Sequence, residues 1–126
     1  ARDSQLMPVD AFEQAQVLQW MFFEQYNHEP NIATSRYWLH VLGEPEKYAD
    51  ALQEKQQKGN EALAVMERHL QAEPFFVGGR YSIADIALYA YTHVADQGGF
   101  SLQDYPAIRA WLGRVKAQTD YVAMLD

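Results

Sequence analysis

Cysteine is absent from this chain. That removes disulfides, thiolate nucleophiles and cysteine-based metal sites, and it is compatible with a cytoplasmic setting. No apolar run is long enough to span a bilayer, and no secretory signal peptide stands at the front. Positive charge is sparse: 10 Lys and Arg against 17 Asp and Glu leave a formal net charge of -7. With no basic cluster, neither nucleic acid nor an anionic membrane surface is expected as the main partner. Catalytic motifs are missing too. His28, His40, His69 and His93 lack the His-Glu-x-x-His spacing of a zinc helix, so no metal site is expected. Gly78-Gly79-Arg80 is not a phosphate loop, because no Gly-Lys-Ser/Thr follows. Ser4, Ser35, Ser82 and Ser101 lie in no nucleophile elbow. The chain begins at Ala1 rather than Met, which fits processing or trimming from something longer.

What is present is enough apolar material for a core. Hydrophobic residues make up 48% of 126 residues, which suits one globular domain over residues 1–126. Its centre is the stretch Tyr81-Ser82-Ile83-Ala84-Asp85-Ile86-Ala87-Leu88. Ser82 and Asp85 have the spacing of a reciprocal capping box, with Tyr81 and Ile86 as a hydrophobic staple. Behind the cap, Ile83, Ala87, Ala90 and Val94 form one apolar stripe, and Ala84, Leu88, Tyr91 and Ala95 a second. Only Asp85, Thr92 and Asp96 make a polar line. A helix apolar nearly all round is a buried one, so residues 82–96 are expected to be central.

The five prolines fall where the helical pattern breaks. Residues 1–9 read as an irregular lead-in. Asp10, with Glu13 three residues on, caps the first helix. Phe12, Ala15, Leu18, Phe22 and Tyr26 are its expected core stripe; Val17, Trp20 and Met21 make another arc, with Phe23 between. Pro30 is expected to kink or restart that helix near Glu29. The next stretch, 31–42, has Ile32, Tyr37, Trp38 and Val41 as inward candidates, and Gly43 as a C-terminal cap. Pro45 then fits the first turn of a helix running to about Gln71. That helix carries Tyr48, Leu52, Gly59, Leu63, Met66 and Leu70 on one stripe, and Gly59 suggests a close helix crossing. Residues 73–80 form a connector that must bury Phe75, Phe76 and Val77. Pro106 opens a last helix with Ile108, Trp111, Leu112 and Val115 inward, and Tyr121, Val122, Met124 and Leu125 suggest a final turn. The connections are short and no strand finds a partner. The fold class is therefore all-α, a multi-helix bundle.

Three segments resemble one family. Phe75-Phe76-Val77-Gly78-Gly79-Arg80-Tyr81-Ser82-Ile83-Ala84-Asp85-Ile86-Ala87 is similar to the signature of the glutathione S-transferase C-terminal domain. Tyr105-Pro106-Ala107-Ile108-Arg109-Ala110-Trp111 resembles a later helix start of the same domain. Gln19-Trp20-Met21-Phe22-Phe23-Glu24-Gln25, followed by Glu29-Pro30, resembles the first helix of bacterial members. The match runs in consistent order over residues 8–125.

The resemblance implies the helical half of an enzyme that conjugates glutathione to electrophiles. In that family a thioredoxin-like N-terminal domain binds glutathione and carries the catalytic Ser, Tyr or Cys. These 126 residues hold no counterpart of it, so no catalytic residue is assigned here. Glutathione is then a co-substrate of the full-length enzyme, and no cofactor is expected. Partners implied are the thioredoxin-like domain and a second copy in a homodimer. Trp20, Phe23 and Asn27 recur at i, i+3 and i+7 on the first helix, away from its expected core stripe. They are the candidate walls of the electrophile pocket. Ser82 and Asp85 are expected to be structural, as the capping box; a catalytic Asp85 is the lesser reading. The same helical domain also serves in translation factors and synthetase-associated proteins. A non-catalytic interaction module is therefore the alternative function.

Overall fold

The computed structural model describes residues 6–118. The first helix is one rod in four parts. α1 (Ala11–Phe23) passes into a π-helical turn (Glu24–His28), then α2 (Glu29–Arg36), then a second π turn (Tyr37–Val41). Asp10 caps it, its carboxylate accepting from the Glu13 N–H at 3.0 Å. The α-helix restarts at Glu29, as expected from Pro30, but through a π turn and without a break in the helical run. In an α-helix the proline ring would strike the carbonyl four residues back. Here the turn just before it is widened, and the Glu29 N–H bonds to the Glu24 carbonyl, five residues back. The proline then sits in the first turn of α2, where a missing N–H costs little.

α1 also turns its faces the other way round from the sequence expectation. The supposed core stripe is outside: Phe12 is 71% exposed, Leu18 52%, Phe22 55% and Tyr26 72%. The other arc faces in. Val17 is fully buried, and Trp20, Met21 and Phe23 pack against the core. Both arcs are apolar, so periodicity could not rank them. The inner arc is the one that finds rings to pack on: Trp20 meets Phe76 at 4.6 Å and His69 at 5.0 Å between centroids.

A turn follows, and Pro45 lies in it rather than in a helix. α3 (Ala49–Ala72) begins at Ala49, after Tyr48. It buries Leu52, Gly59, Ala62, Leu63, Met66, Glu67 and Leu70. Gly59 makes room for a ring rather than a helix crossing, since a Cβ there would come within 2.5 Å of Phe100. The close backbone approach is at Gly98 instead, where a Cβ would meet the Arg36 nitrogen at 3.0 Å and the Ile32 carbonyl at 3.1 Å.

The connector buries Phe76 and Val77 and turns at Gly78 and Gly79, both with positive φ. α5 (Pro106–Lys116) clamps it from behind, Arg114 Nε donating to the Pro74 carbonyl at 2.9 Å. α4 (Ile83–Thr92) stops four residues short of the expected end. A 3₁₀ turn (Ala95–Gly98) follows, closed by Gly99 in the left-handed region at φ 84°. Two residues of α4's polar line, Asp85 and Thr92, are among the most deeply buried in the protein. α5 contributes Ile108, Trp111 and Val115 to the core. The described residues contain no strand, only an isolated Val77–Arg80 bridge. The turn expected at Tyr121, Val122, Met124 and Leu125 lies outside the described residues.

Candidate functional site

Three buried polar assemblies tie the elements of the bundle together, and a buried polar atom there is costly unless it finds a partner. The first centres on Asp85. Its Oδ2 accepts from the Ser82 N–H at 2.9 Å and from the Ser82 hydroxyl at 3.3 Å. Its Oδ1 accepts from the Phe76 N–H at 3.1 Å and from Trp111 Nε1 at 2.8 Å. Ser82 Oγ in turn accepts from the Ala84 N–H, and with Asp85 it forms a reciprocal capping box. One carboxylate thus ties the connector, the start of α4 and the middle of α5. Burial pushes its pKa up, despite the donors around it that favour the charged form. Its donors are two backbone N–H groups, the Ser82 hydroxyl and the Trp111 indole, so nothing aims it at a substrate.

The second assembly is Glu67, which sequence reasoning missed. It projects from α3 and accepts from the Ala107 and Ile108 N–H groups, both at 3.0 Å. Those are orphan donors of α5, whose own N-cap Tyr105 makes no side-chain capping bond. Glu67 therefore caps α5 from another helix. Its position, four residues after Leu63 and three before Leu70, was the available signal. The third is His28, in the first π turn and fully buried. Thr92 donates its hydroxyl to the Leu88 carbonyl at 2.6 Å, so its oxygen accepts from His28 Nε2–H at 2.7 Å. His28 Nδ1 then has no partner. Desolvation lowers the histidine's pKa to about 4, keeping it neutral.

An open groove of about 430 Å³ runs between the first π turn and α3. Phe23, Tyr26, Asn27 and Asn31 form one side, and Lys58, Glu61, Ala62 and Val65 the other. Of the three predicted pocket residues, Phe23 and Asn27 line it. Trp20 does not; it lies behind Phe23, edge-on at 5.3 Å, inside the aromatic cluster of His69 and Phe76. Asn31 is held by its amide bond to the Asn27 carbonyl at 2.7 Å. The groove sets aromatic and aliphatic walls beside two amides and the charged side chains of Lys58 and Glu61. Among the described residues, no group of three or more His, Asp or Glu stands close enough to hold a metal ion.

An all-helical bundle organised around a capped helix whose Asp reaches two neighbouring elements defines a class of domain. The profile of the glutathione S-transferase C-terminal domain matches residues 17–119, and the chain belongs to that family. A glutathione S-transferase from Pseudomonas fluorescens Pf-5 superimposes with a TM-score of 0.94 and 51% identity, over 97% of this chain and 61% of that one. A possible glutathione S-transferase from Rhodopseudomonas palustris gives 0.93 and 44%, over 97% and 55%. The disulfide-bond oxidoreductase YfcG of Escherichia coli strain K12 is 26% identical over 84% of this chain and 48% of its own length. The chain thus spans about half the length of that curated relative. No described helix is long and apolar enough to cross a membrane.

Proposed function

We propose that this chain is the helical half of a cytoplasmic glutathione transferase, working on glutathione as co-substrate. A thioredoxin-like domain would bind that glutathione and carry the catalytic group. The first helix supplies the electrophile side of the cleft, with Phe23 and Asn27 at the groove and Trp20 backing Phe23. The observation that carries this reading is the exposed apolar stripe on the first helix, Phe12, Leu18, Phe22 and Tyr26, all more than half exposed. A stripe of that kind, with Phe22 and Tyr26 stacked at 6.2 Å, fits a surface that another domain or a second copy covers. A homodimer through the first helix follows from it. Catalysis also needs a group that generates or stabilises the glutathione thiolate. The chain has no Cys. Ser82 is occupied as a cap and Ser35 donates to the Asn31 carbonyl at 2.7 Å. The test is conjugation of glutathione to a model aromatic electrophile, with sedimentation of the same sample. The chain by itself is expected to show no turnover and to self-associate. Robust turnover would overthrow the half-enzyme reading, and a strict monomer at high concentration would remove the dimer.

A further inference from the structure

The buried titratable group that the proposed chemistry leaves unused is His28. It ends the first π turn. Tyr26 and Asn27 of that turn, with Phe23 just before it, line the groove on the α3 side, and His28 does not. The turn is short of backbone bonds, because Pro30 has no N–H to give it. Two side chains take part instead. Asn31 Nδ2 donates to the Asn27 carbonyl at 2.7 Å, within the same rod. His28 Nε2–H donates to Thr92 Oγ at 2.7 Å and so ties the turn to α4. Both ends of that tie are oriented. Thr92 donates its own hydroxyl to the Leu88 carbonyl at 2.6 Å, and the desolvated histidine is neutral, with a single ring N–H to give. Its other nitrogen has no hydrogen-bond partner, so no second bond competes for the ring. Both residues are fully buried, so neither a covering domain nor a second copy reaches them, and the pair is complete within this chain.

We propose that His28 is a positioning residue for the groove: through its bond to Thr92 it fixes the π turn, and with it Phe23 and Asn27, relative to α3, without touching the groove itself. π turns are rare and recur at functional sites, where the widened turn re-aims side chains. Here the re-aimed side chains are the groove wall, and the residue that holds them faces the opposite helix. That the groove takes the electrophile rests on the reading above; the tie does not.

The experiment is heteronuclear NMR relaxation on the full chain and on three variants, each well inside its folded range. Thr92→Val keeps the shape and removes the acceptor. His28→Phe removes the donor. His28→Gln keeps a side-chain N–H for Thr92. Backbone order parameters over residues 23–28 are expected to fall from about 0.85 towards 0.6 in Thr92→Val and His28→Phe, while those of Leu63 and Leu70 in α3 stay high. The Ala62 and Val65 methyl signals, across the groove from Phe23, should shift in the same two variants. His28→Gln should restore most of both effects. A loss of overall stability alone moves none of these readouts in a folded sample. Unchanged order parameters in Thr92→Val, a loosened turn that leaves the Ala62 and Val65 methyls unmoved, or His28→Gln behaving like His28→Phe would overturn the proposal. No step of the test needs transferase activity, so its failure is distinct from failure of the transferase reading.

Discussion

Replacing Asp85 by alanine tests the centre of the fold. Three buried donors lose their acceptor: the Phe76 N–H, the Ser82 N–H and Trp111 Nε1–H, at 3.1, 2.9 and 2.8 Å. A buried donor left unsatisfied costs about 1–3 kcal/mol. Part is recovered, because a desolvated carboxylate is removed and the Ser82 hydroxyl can turn elsewhere. The expected net loss is about 3–5 kcal/mol, at the diagnostic end for point mutants. Ser82→Ala removes one cap acceptor and should cost about 0.5–2 kcal/mol. The double variant should lose less than the sum, since both changes disable one motif. Asp85→Asn should fall between wild type and alanine, because its amide nitrogen has to face one pair of donors. Urea unfolding followed by tryptophan fluorescence gives all four stabilities. A loss for Asp85→Ala below about 1 kcal/mol, or strictly additive losses, would refute the view that one carboxylate ties the connector, α4 and α5.

Stability should also fall as pH drops from about 6.5 towards 4, because His28 stays neutral in the folded chain while the unfolded chain takes up its proton. The contribution is complete above the unfolded pKa and amounts to roughly 3 kcal/mol by the folded one. His28→Phe should flatten that slope, measured by urea midpoints between pH 4.5 and 7; an unchanged slope would rule His28 out as its source. Asp85 works in the opposite sense, since its raised pKa favours the folded state below the unfolded value and the benefit is lost as pH rises through the folded one. Glu67→Ala should cost about 2–4 kcal/mol by uncapping α5, with Glu67→Gln milder, as read from denaturant midpoints. Gly59→Ala should destabilise by about 1–3 kcal/mol although alanine is the better helix former, because the new methyl meets the Phe100 ring. Thermal unfolding of Gly59→Ala beside Gly59→Ala/Phe100→Leu checks this, the smaller side chain restoring most of the loss.

Helix content, the connector and the capping box were legible because each has a local signature. Ser82 and Asp85 need only their spacing, and Pro106 marks a helix start wherever it falls. The facing of α1 was not legible. It carries two apolar arcs, and which one turns inward depends on Phe76 and His69, far away in sequence. The restart near Glu29 was legible from Pro30, but the π turn before it was not, because such a turn leaves the residue pattern nearly helical while changing the bonding. Asp85's reach to Trp111, Glu67's capping of α5 and the His28–Thr92 pair are long-range contacts. Such contacts leave no local signature; Asp85 and Thr92 read as a polar line, and only Glu67, between Leu63 and Leu70, stood beside a core stripe. The pocket residues divided along the same line. Phe23 and Asn27 share an edge of the helix that borders α3, whereas Trp20 is one turn back, where the aromatic core begins.

The most direct measurement joins this chain to the part of the Pseudomonas fluorescens transferase that it does not match, 39% of that protein's length (100% less the 61% covered). Glutathione conjugation to a model aromatic electrophile is then assayed for the fusion and for the chain alone. The account predicts turnover by the fusion, none by the chain alone, and a selective loss of affinity for the electrophile when Phe23 or Asn27 is changed to alanine in the fusion. Turnover by the chain alone, or a folded fusion without activity, would contradict it.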